Sequence, residues 1–135
     1  MPYRARSYRF ESKTRSIVFS GDTAYSRNLV NLAKDVFVCE VIDQAIHDEM
    51  EARGKAATEA GNPENIYRHV ADTHSTPMDV GRMASEADVK MLVLNHLLPG
   101  TTTPGRPDLP VTAFIDSVRK VYSGEVIVGQ DLMVI

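Results

Sequence analysis

The stretch SIVFSGDT, residues 16–23, is decisive for the fold because an apolar strand runs directly into a turn that carries a carboxylate. Ile17, Val18 and Phe19 have the β-branched and aromatic character typical of a strand that faces a core. Asp22 follows them after a glycine, and a carboxylate held against a core costs free energy unless its charge is compensated. We therefore expect Asp22 to have a compensating partner.

Strand-like and helix-like segments alternate along the rest of the 135-residue chain. Residues 7–11 and 16–20 predict an antiparallel hairpin, and the continuous apolar run 36–42 predicts a strand covered on both faces. The spacing of apolar residues predicts further elements: helices after Ser26, over 43–60, from 62–63 towards His69, from Thr76 and over 111–122, and strands over 90–96, 125–129 and 131–135. Such alternation favours a largely parallel sheet with a small antiparallel part. The predicted fold class is α/β, a mixed sheet with flanking helices in a single domain over residues 1–135.

Composition limits the classes of partner. The chain has 15 basic and 18 acidic residues, a net charge of -3 and no basic stripe interleaved with aromatics, so nucleic acid is not an expected partner. Arg4, Arg6 and Arg9 alternate near the start of the chain. Such a pattern can form a nucleic-acid-binding arm, but alternating charges also keep an edge strand soluble. The single cysteine, Cys39, allows no disulfide within the chain and favours a reducing compartment. No apolar run approaches ~18 residues, so we expect a cytoplasmic protein without a membrane partner. The segment 99–110, rich in Pro, Gly and Thr, predicts a long loop.

Four polar side chains stand where a core would not require them. Asp22 and His96 each follow an apolar strand, and Glu40 lies within a third. His74 comes just before a well-capped helix start. Because binding sites in α/β sheets form outside the carboxyl ends of parallel strands, we expect these residues to converge although they are dispersed in sequence.

Each of the four also has an ordinary structural explanation. Asp22 can cap the following helix or form an Asx turn, and Glu40 can pair with an arginine. His74 can be a loop residue, and His96 can be a histidine whose hydrogen bonds are satisfied at a strand end. Two further histidines lie in polar, helix-like surroundings and are interpreted as surface residues: His47 and His69.

The functional interpretation assigns the four residues to two roles. Asp22 and His96 are the candidate metal ligands, since carboxylate oxygen and imidazole nitrogen suit zinc, manganese or iron. Such a cation would compensate the charge of Asp22. Glu40 and His74 are the candidate catalytic pair, in which the carboxylate orients the imidazole so that it can donate a proton to a leaving group.

Four segments together resemble the C-terminal half of a metallo-β-lactamase superfamily hydrolase, of the branch with ribonuclease Z and arylsulfatase-like proteins: VFSGDT, THST, VLNHLLP and GEVIVGQDLMVI. The resemblance implies that the chain is part of an αββα sandwich with a dinuclear metal site. It further implies that Asp22 bridges the two ions, that His96 binds one of them, and that Glu40 and His74 form the proton-donating pair.

The sequence also departs from this family. Cys39 and Val41 stand where the family's HEAT segment has histidine and alanine, so the correspondence at Glu40 is looser. The HxHxDH motif, which supplies most ligands of both metals, does not occur in these 135 residues. The remaining ligands then lie on a complementing N-terminal chain, or the chain is a fragment or degenerate member, and an uncovered sheet face would favour a homodimer.

The resemblance leads to two alternative functions. One is a metal-dependent hydrolase, or its metal-binding C-terminal part, acting on a phosphodiester, sulfate ester or related ester of a small molecule or nucleotide. The Arg and aromatic residues that ribonuclease Z carries just after its last metal histidine do not directly follow His96 here, where the sequence reads LLPGTTTPGRP, and this favours substrates other than transfer RNA. The alternative is a non-catalytic truncated relative that acts as a self-associating or partner-binding module.

Overall fold

The computed structural model of the chain describes residues 5–98 and 110–134. Five strands form its sheet: β1 (Tyr8–Glu11), β2 (Ser16–Phe19), β3 (Val36–Ile42), β4 (Met91–Leu98) and β5 (Glu125–Val128). They lie side by side in the order β1-β2-β3-β4-β5, with β1 antiparallel to β2 and every other neighbouring pair parallel. The structure therefore confirms the predicted α/β class and the mixed sheet.

Five helices accompany the sheet: α1 (Arg27–Leu32), α2 (Gln44–Glu59), α3 (Ile66–Thr73), α4 (Pro77–Glu86) and α5 (Val111–Arg119). Ser26 caps α1 as predicted, with its side chain accepting a hydrogen bond from the backbone of Leu29. At α4, Thr76 and Asp79 form a reciprocal capping box. These local signals position the loops that precede both helices.

Helices α1, α4 and α5 pack on the same face of the sheet. From β2 to β5, each strand lies next to the one before it, always on the same side. Because parallel crossover connections are right-handed, their helices then pack on one face of the sheet. The core lies between these layers and includes the following buried side chains: Val18, Leu29, Val30, Phe37, Cys39, Val41, Val80, Met83, Leu92, Leu94, Phe114 and Val118.

The second face of the sheet has no helical layer among the described residues. Its buried cluster consists of strand residues, with Val36, Val38 and Val93 at its centre. Towards the hairpin this face becomes open, because Phe10 is 60% and Phe19 is 42% exposed, in edge-to-face contact with each other. The side chains of β3 are nevertheless buried on both faces, as predicted, with Val36 and Val38 on this face and Phe37, Cys39 and Val41 on the other.

Helix α3 begins later than the sequence indicated. The prediction started it near residues 62–63, but the N-cap is Asn65, whose side chain accepts a hydrogen bond from the backbone of Arg68. The Asn65 amide also donates to the carbonyl of Asn62 and so stabilises the preceding turn. The helix thus ends at Thr73, just before His74.

The end of the chain also differs from the prediction. Residues 131–134 form a turn rather than a strand, with the backbone N–H of Met133 donating to the carbonyl of Gln130. Leu132 and Val134 point into solvent. Arg4 and almost all of the loop predicted over 99–110 lie outside the described residues. Within the described ranges, no helix is both long and apolar enough to cross a membrane.

Candidate metal centre

The turn Gly21-Asp22-Thr23 carries the first candidate residue out of the end of β2. Gly21 has a φ of +62°, and a Cβ added there would lie 2.7 Å from the carbonyl oxygen of Arg6. Any other residue would therefore meet both an unfavourable backbone conformation and a backbone clash. The turn leaves Asp22 exposed at the carboxyl edge of the parallel strands.

A β-bulge positions the histidine of β4. Glu40 pairs with Asn95 and Val41 pairs with Leu97, so His96 is the extra residue, and its φ is +44°. The strand was expected to deliver His96 at its end, whereas β4 continues to Leu98. The bulge turns the ring of His96 towards β3, where its Nδ1 lies 3.3 Å from Oε2 of Glu40.

His74 is oriented by the end of α3. Its Nδ1 lies 3.0 Å from the carbonyl oxygen of Val70 and 3.1 Å from Oγ1 of Thr73. A carbonyl can only accept, so Nδ1 carries the proton and Nε2 is left for proton exchange or metal binding. These contacts orient the ring from the end of α3, and the pairing of His74 with Glu40 stays a prediction.

The structure brings three of the four candidate residues into one cluster. Ligand atoms of Asp22, Glu40 and His74 all lie within 4.8 Å of one another. Among the described residues His96 is not part of this set, but it contacts Glu40 from the neighbouring strand. Residues that are up to 74 positions apart in numbering therefore meet at one edge of the sheet.

Two carboxyl groups in contact dominate the electrostatics of the cluster. Burial, followed by the hydrogen bond and the charge of Asp22, raises the pKa of Glu40 to about 7. The hydrogen bond with Glu40, and then the charges of nearby histidines, lower the pKa of Asp22. Below about pH 7 the pair therefore shares one proton that resides on Glu40, and Asp22 is the anion.

The donor set fits part of a divalent-cation site. Oε2 of Glu40 is shielded from solvent and has no partner with hydrogen-bond geometry among the described residues, although Nδ1 of His96 is near. Carboxylate oxygens and imidazole nitrogens are ligands for zinc, manganese and iron. A closed zinc site takes four ligands, so this cluster supplies only a portion of one.

His69 and His47, which the sequence placed at the surface, are both only partly exposed. The charge of His69 also contributes to the lowered pKa of Asp22, so α3 brings this residue into the neighbourhood of the site. Nε2 of His47 lies 3.1 Å from the carbonyl oxygen of Ala71 and ties α2 to α3.

A cavity of about 170 Å³ adjoins the cluster on the open face of the sheet. Glu40, Asn95, Phe19 and Arg6 are among the residues that line it. Oδ1 of Asn95 is buried without a hydrogen-bond partner among the described residues. The cluster is thus accessible from the face that lacks a covering layer.

Comparison with known proteins links this arrangement to a fold. Two solved structures match nearly the whole chain: the metallo-β-lactamase fold protein YhfI from Bacillus subtilis and human tRNase Z, short form. The first is 17% identical with a TM-score of 0.60, over 92% of this chain and 41% of that one. The second is 20% identical with a TM-score of 0.55, over 96% of this chain and 37% of the human protein. At these identities the likeness shows the fold alone, and the chain is a metallo-β-lactamase fold protein.

Sequence relatives narrow the class. Ribonuclease Z of Methanosarcina mazei is 33% identical over 119 residues, and ribonuclease Z of Haloferax volcanii is 27% identical over 117 residues. These matches cover 88% and 87% of this chain but only 32% and 30% of the relatives, so the chain spans about a third of their length. No family model matches the chain. The chain is a ribonuclease Z-like member of the metallo-β-lactamase superfamily, over the part that it covers.

Proposed function

We propose that the chain is the metal-binding part of a metal-dependent hydrolase that cleaves phosphodiesters. The observation that carries the proposal is the meeting of Asp22, Glu40 and His74 within 4.8 Å, with His96 in contact with Glu40. Carboxylates and imidazoles from three separate elements have no structural need to face one another at an exposed strand edge. A bound divalent cation would supply the positive charge that this edge lacks and Lewis-acid activation of water and ester.

The roles follow from the positions of the side chains. Asp22, the ionised member of the carboxyl pair, and His96 on its bulge would hold the cation. His74 has its Nδ1 proton fixed by Val70, so its Nε2 gives a proton to the leaving oxygen once the ring is protonated. Glu40 would position both of its neighbours, since it shares a proton with Asp22 and its Oε2 lies 3.3 Å from Nδ1 of His96.

The partner that completes the site is a second layer on the open sheet face. Two or three ligands do not hold zinc tightly, and the relatives are about three times as long as this chain. The open apolar face and the cavity beside Glu40 lie on the same side, so a layer that packs there can reach the cation. Such a layer comes from another segment of a longer chain, from a complementing polypeptide or from a second copy.

The names of the relatives favour a phosphodiester over a sulfate ester. Two relatives are named ribonuclease Z and one structural neighbour is named tRNase Z. These names weigh against the expectation that nucleic acid is not a partner. An RNA phosphodiester is therefore the substrate class that we assign, and binding of RNA requires contributions from the covering layer, because the chain itself is net acidic.

A chimera tests the proposal. The chain replaces the segment of the Methanosarcina mazei ribonuclease Z that it matches, and hydrolysis of bis(p-nitrophenyl) phosphate and of RNA is measured with added zinc or manganese. We expect activity that falls at least about 100-fold in Asp22→Asn, since even outer-shell changes cost about 10–100-fold. His74→Gln is expected to lose about 10²–10⁴-fold.

Asp116→Asn, an exposed aspartate on α5, is the matched control and should retain full activity. A folded chimera without hydrolysis, or one in which Asp22→Asn is as active as the control, would contradict the proposal. The non-catalytic alternative, a self-associating module, would then be favoured by a dimer of the isolated chain in analytical ultracentrifugation.

A further inference from the structure

We infer that Ser20 and Ser75 are positioning residues that hold the Asp22 turn between Glu40 and His74. This inference rests on the proposed metal site. Both serines are completely or almost completely buried, at 1% and 0% exposure, and their hydroxyls donate to the carbonyls of the two residues that flank Asp22. We call this pair the serine clasp.

Ser20 connects the turn to β3. Its hydroxyl donates to the carbonyl of Gly21 at 2.8 Å and accepts from the backbone N–H of Glu40 at 3.2 Å. One hydroxyl therefore uses its donor and its acceptor capacity on two backbone groups that belong to the site. The peptide plane that leads into Asp22 is fixed relative to the residue that carries the second carboxylate.

Ser75 connects the same turn to the segment that carries His74. Its hydroxyl donates to the carbonyl of Thr23 at 2.6 Å, across 52 positions of sequence. Its own carbonyl accepts from the backbone N–H of Ile42 at the end of β3. Because Ser75 directly follows His74, this contact fixes the distance between the turn and the histidine.

The clasp explains why two polar side chains occupy fully buried positions. A buried hydroxyl without partners would cost free energy, whereas these two are satisfied by groups of the turn and of β3. The turn itself is exposed at Asp22, and Gly21 gives its backbone additional freedom. Without the clasp, nothing else among the described hydrogen bonds holds the carbonyls of Gly21 and Thr23.

Ser20→Ala and Ser75→Ala test the inference, and Ser16→Ala is the matched control. Ser16 is likewise a buried serine, at 2% exposure, but it lies at the start of β2, where its hydroxyl bonds to Asp35, at the end of the strand opposite to Ser20. The first measurement needs no metal: backbone ¹⁵N relaxation of the wild-type chain and the variants. We expect the order parameter of Asp22 to fall from about 0.85 to below about 0.6 in either clasp variant, and to stay unchanged in the control.

The second measurement is the zinc affinity of the same proteins by calorimetry. Each clasp variant should bind zinc about 10–100-fold more weakly than the wild type, as is usual for residues that orient ligands, while Ser16→Ala matches the wild type. Either clasp variant alone decides the question if the other does not fold.

An Asp22 that stays ordered in both clasp variants would overturn the inference, as would a control that loosens the turn equally. A wild-type chain that binds no zinc would count against metal binding by the chain alone, while the relaxation experiment would still decide whether the clasp exists.

Discussion

Glu40→Gln should stabilise the metal-free chain at alkaline pH, because the wild-type side chain must ionise beside Asp22. Its pKa is raised from 4.5 to about 7, chiefly by burial and then by Asp22. A raised carboxyl pKa means that stability is highest below the unfolded-state pKa of 4.5 and falls as the pH rises to about 7. The full shift corresponds to about 3 kcal/mol, which we reduce to about 2 kcal/mol because the side chain keeps 21% exposure.

The assay is thermal and urea denaturation of both proteins in chelator, near pH 4 and near pH 8. The difference in unfolding free energy between Glu40→Gln and wild type should be about 2 kcal/mol more favourable to the variant at pH 8 than at pH 4. This corresponds to about 6–10 °C in Tm. Glu59→Gln, which removes an exposed carboxylate from α2, is the control and should show no such gain. The reasoning is refuted if Glu40→Gln and wild type have parallel pH profiles, or if the amide destabilises the chain at pH 8 more than at pH 4.

Three further predictions concern the framework around the site. The Asp35 carboxylate bonds to Lys90 and to Ser16, which lowers its pKa to about 2. The ionised carboxylate therefore stabilises the fold fully above about pH 4, and this contribution is lost as the pH falls to 2. Acid denaturation should show the loss in wild type and not in Asp35→Asn. Burial raises the pKa of the Cys39 thiol to about 12, so labelling by a disulfide reagent should be negligible in the folded chain and fast in urea, and rapid native labelling would contradict the buried position. Thr76→Ala removes the cap of α4 and should cost about 1 kcal/mol in thermal unfolding, whereas Thr76→Ser should be nearly neutral.

Local sequence signals were sufficient for most of the fold. Three signals that depend only on neighbouring residues are present in the structure: the continuous apolar run of β3, the cap of α1 at Ser26 and the capping box at Thr76. The start of α3 was misplaced because Asn62 and Asn65 are equally good caps in sequence, and only the fold selects the latter through its bond to Gly54. The predicted strand over residues 131–135 is not formed at 131–134, because no other described strand pairs with this segment.

The candidate site depended more on tertiary structure. The strand-end argument anticipated that Asp22, Glu40 and His74 would meet, but it gave no reason for His96 to lie within a strand. The bulge that turns His96 arises from the register between β3 and β4, which is a long-range property. The serines of the clasp looked like ordinary polar residues, because their partners are distant backbone carbonyls that no sequence pattern specifies.

The open face of the sheet was also not evident from the apolar run of β3. A run such as VFVCEVI predicts apolar neighbours on both sides, and the described residues provide a helical layer on one. Among the described residues, the face without a helical layer is also the face on which the cavity beside Glu40 opens. The chain spans about a third of the length of its ribonuclease Z relatives.

Zinc content tests the central account most directly. The chimera is purified with zinc, dialysed, and its metal measured by inductively coupled plasma mass spectrometry beside Asp22→Ala, His96→Ala and the Asp116→Asn control. We predict bound zinc in the chimera and in the control, and loss of at least one zinc equivalent in each of the two alanine variants. Full zinc occupancy in both Asp22→Ala and His96→Ala, with the protein folded, would contradict the account.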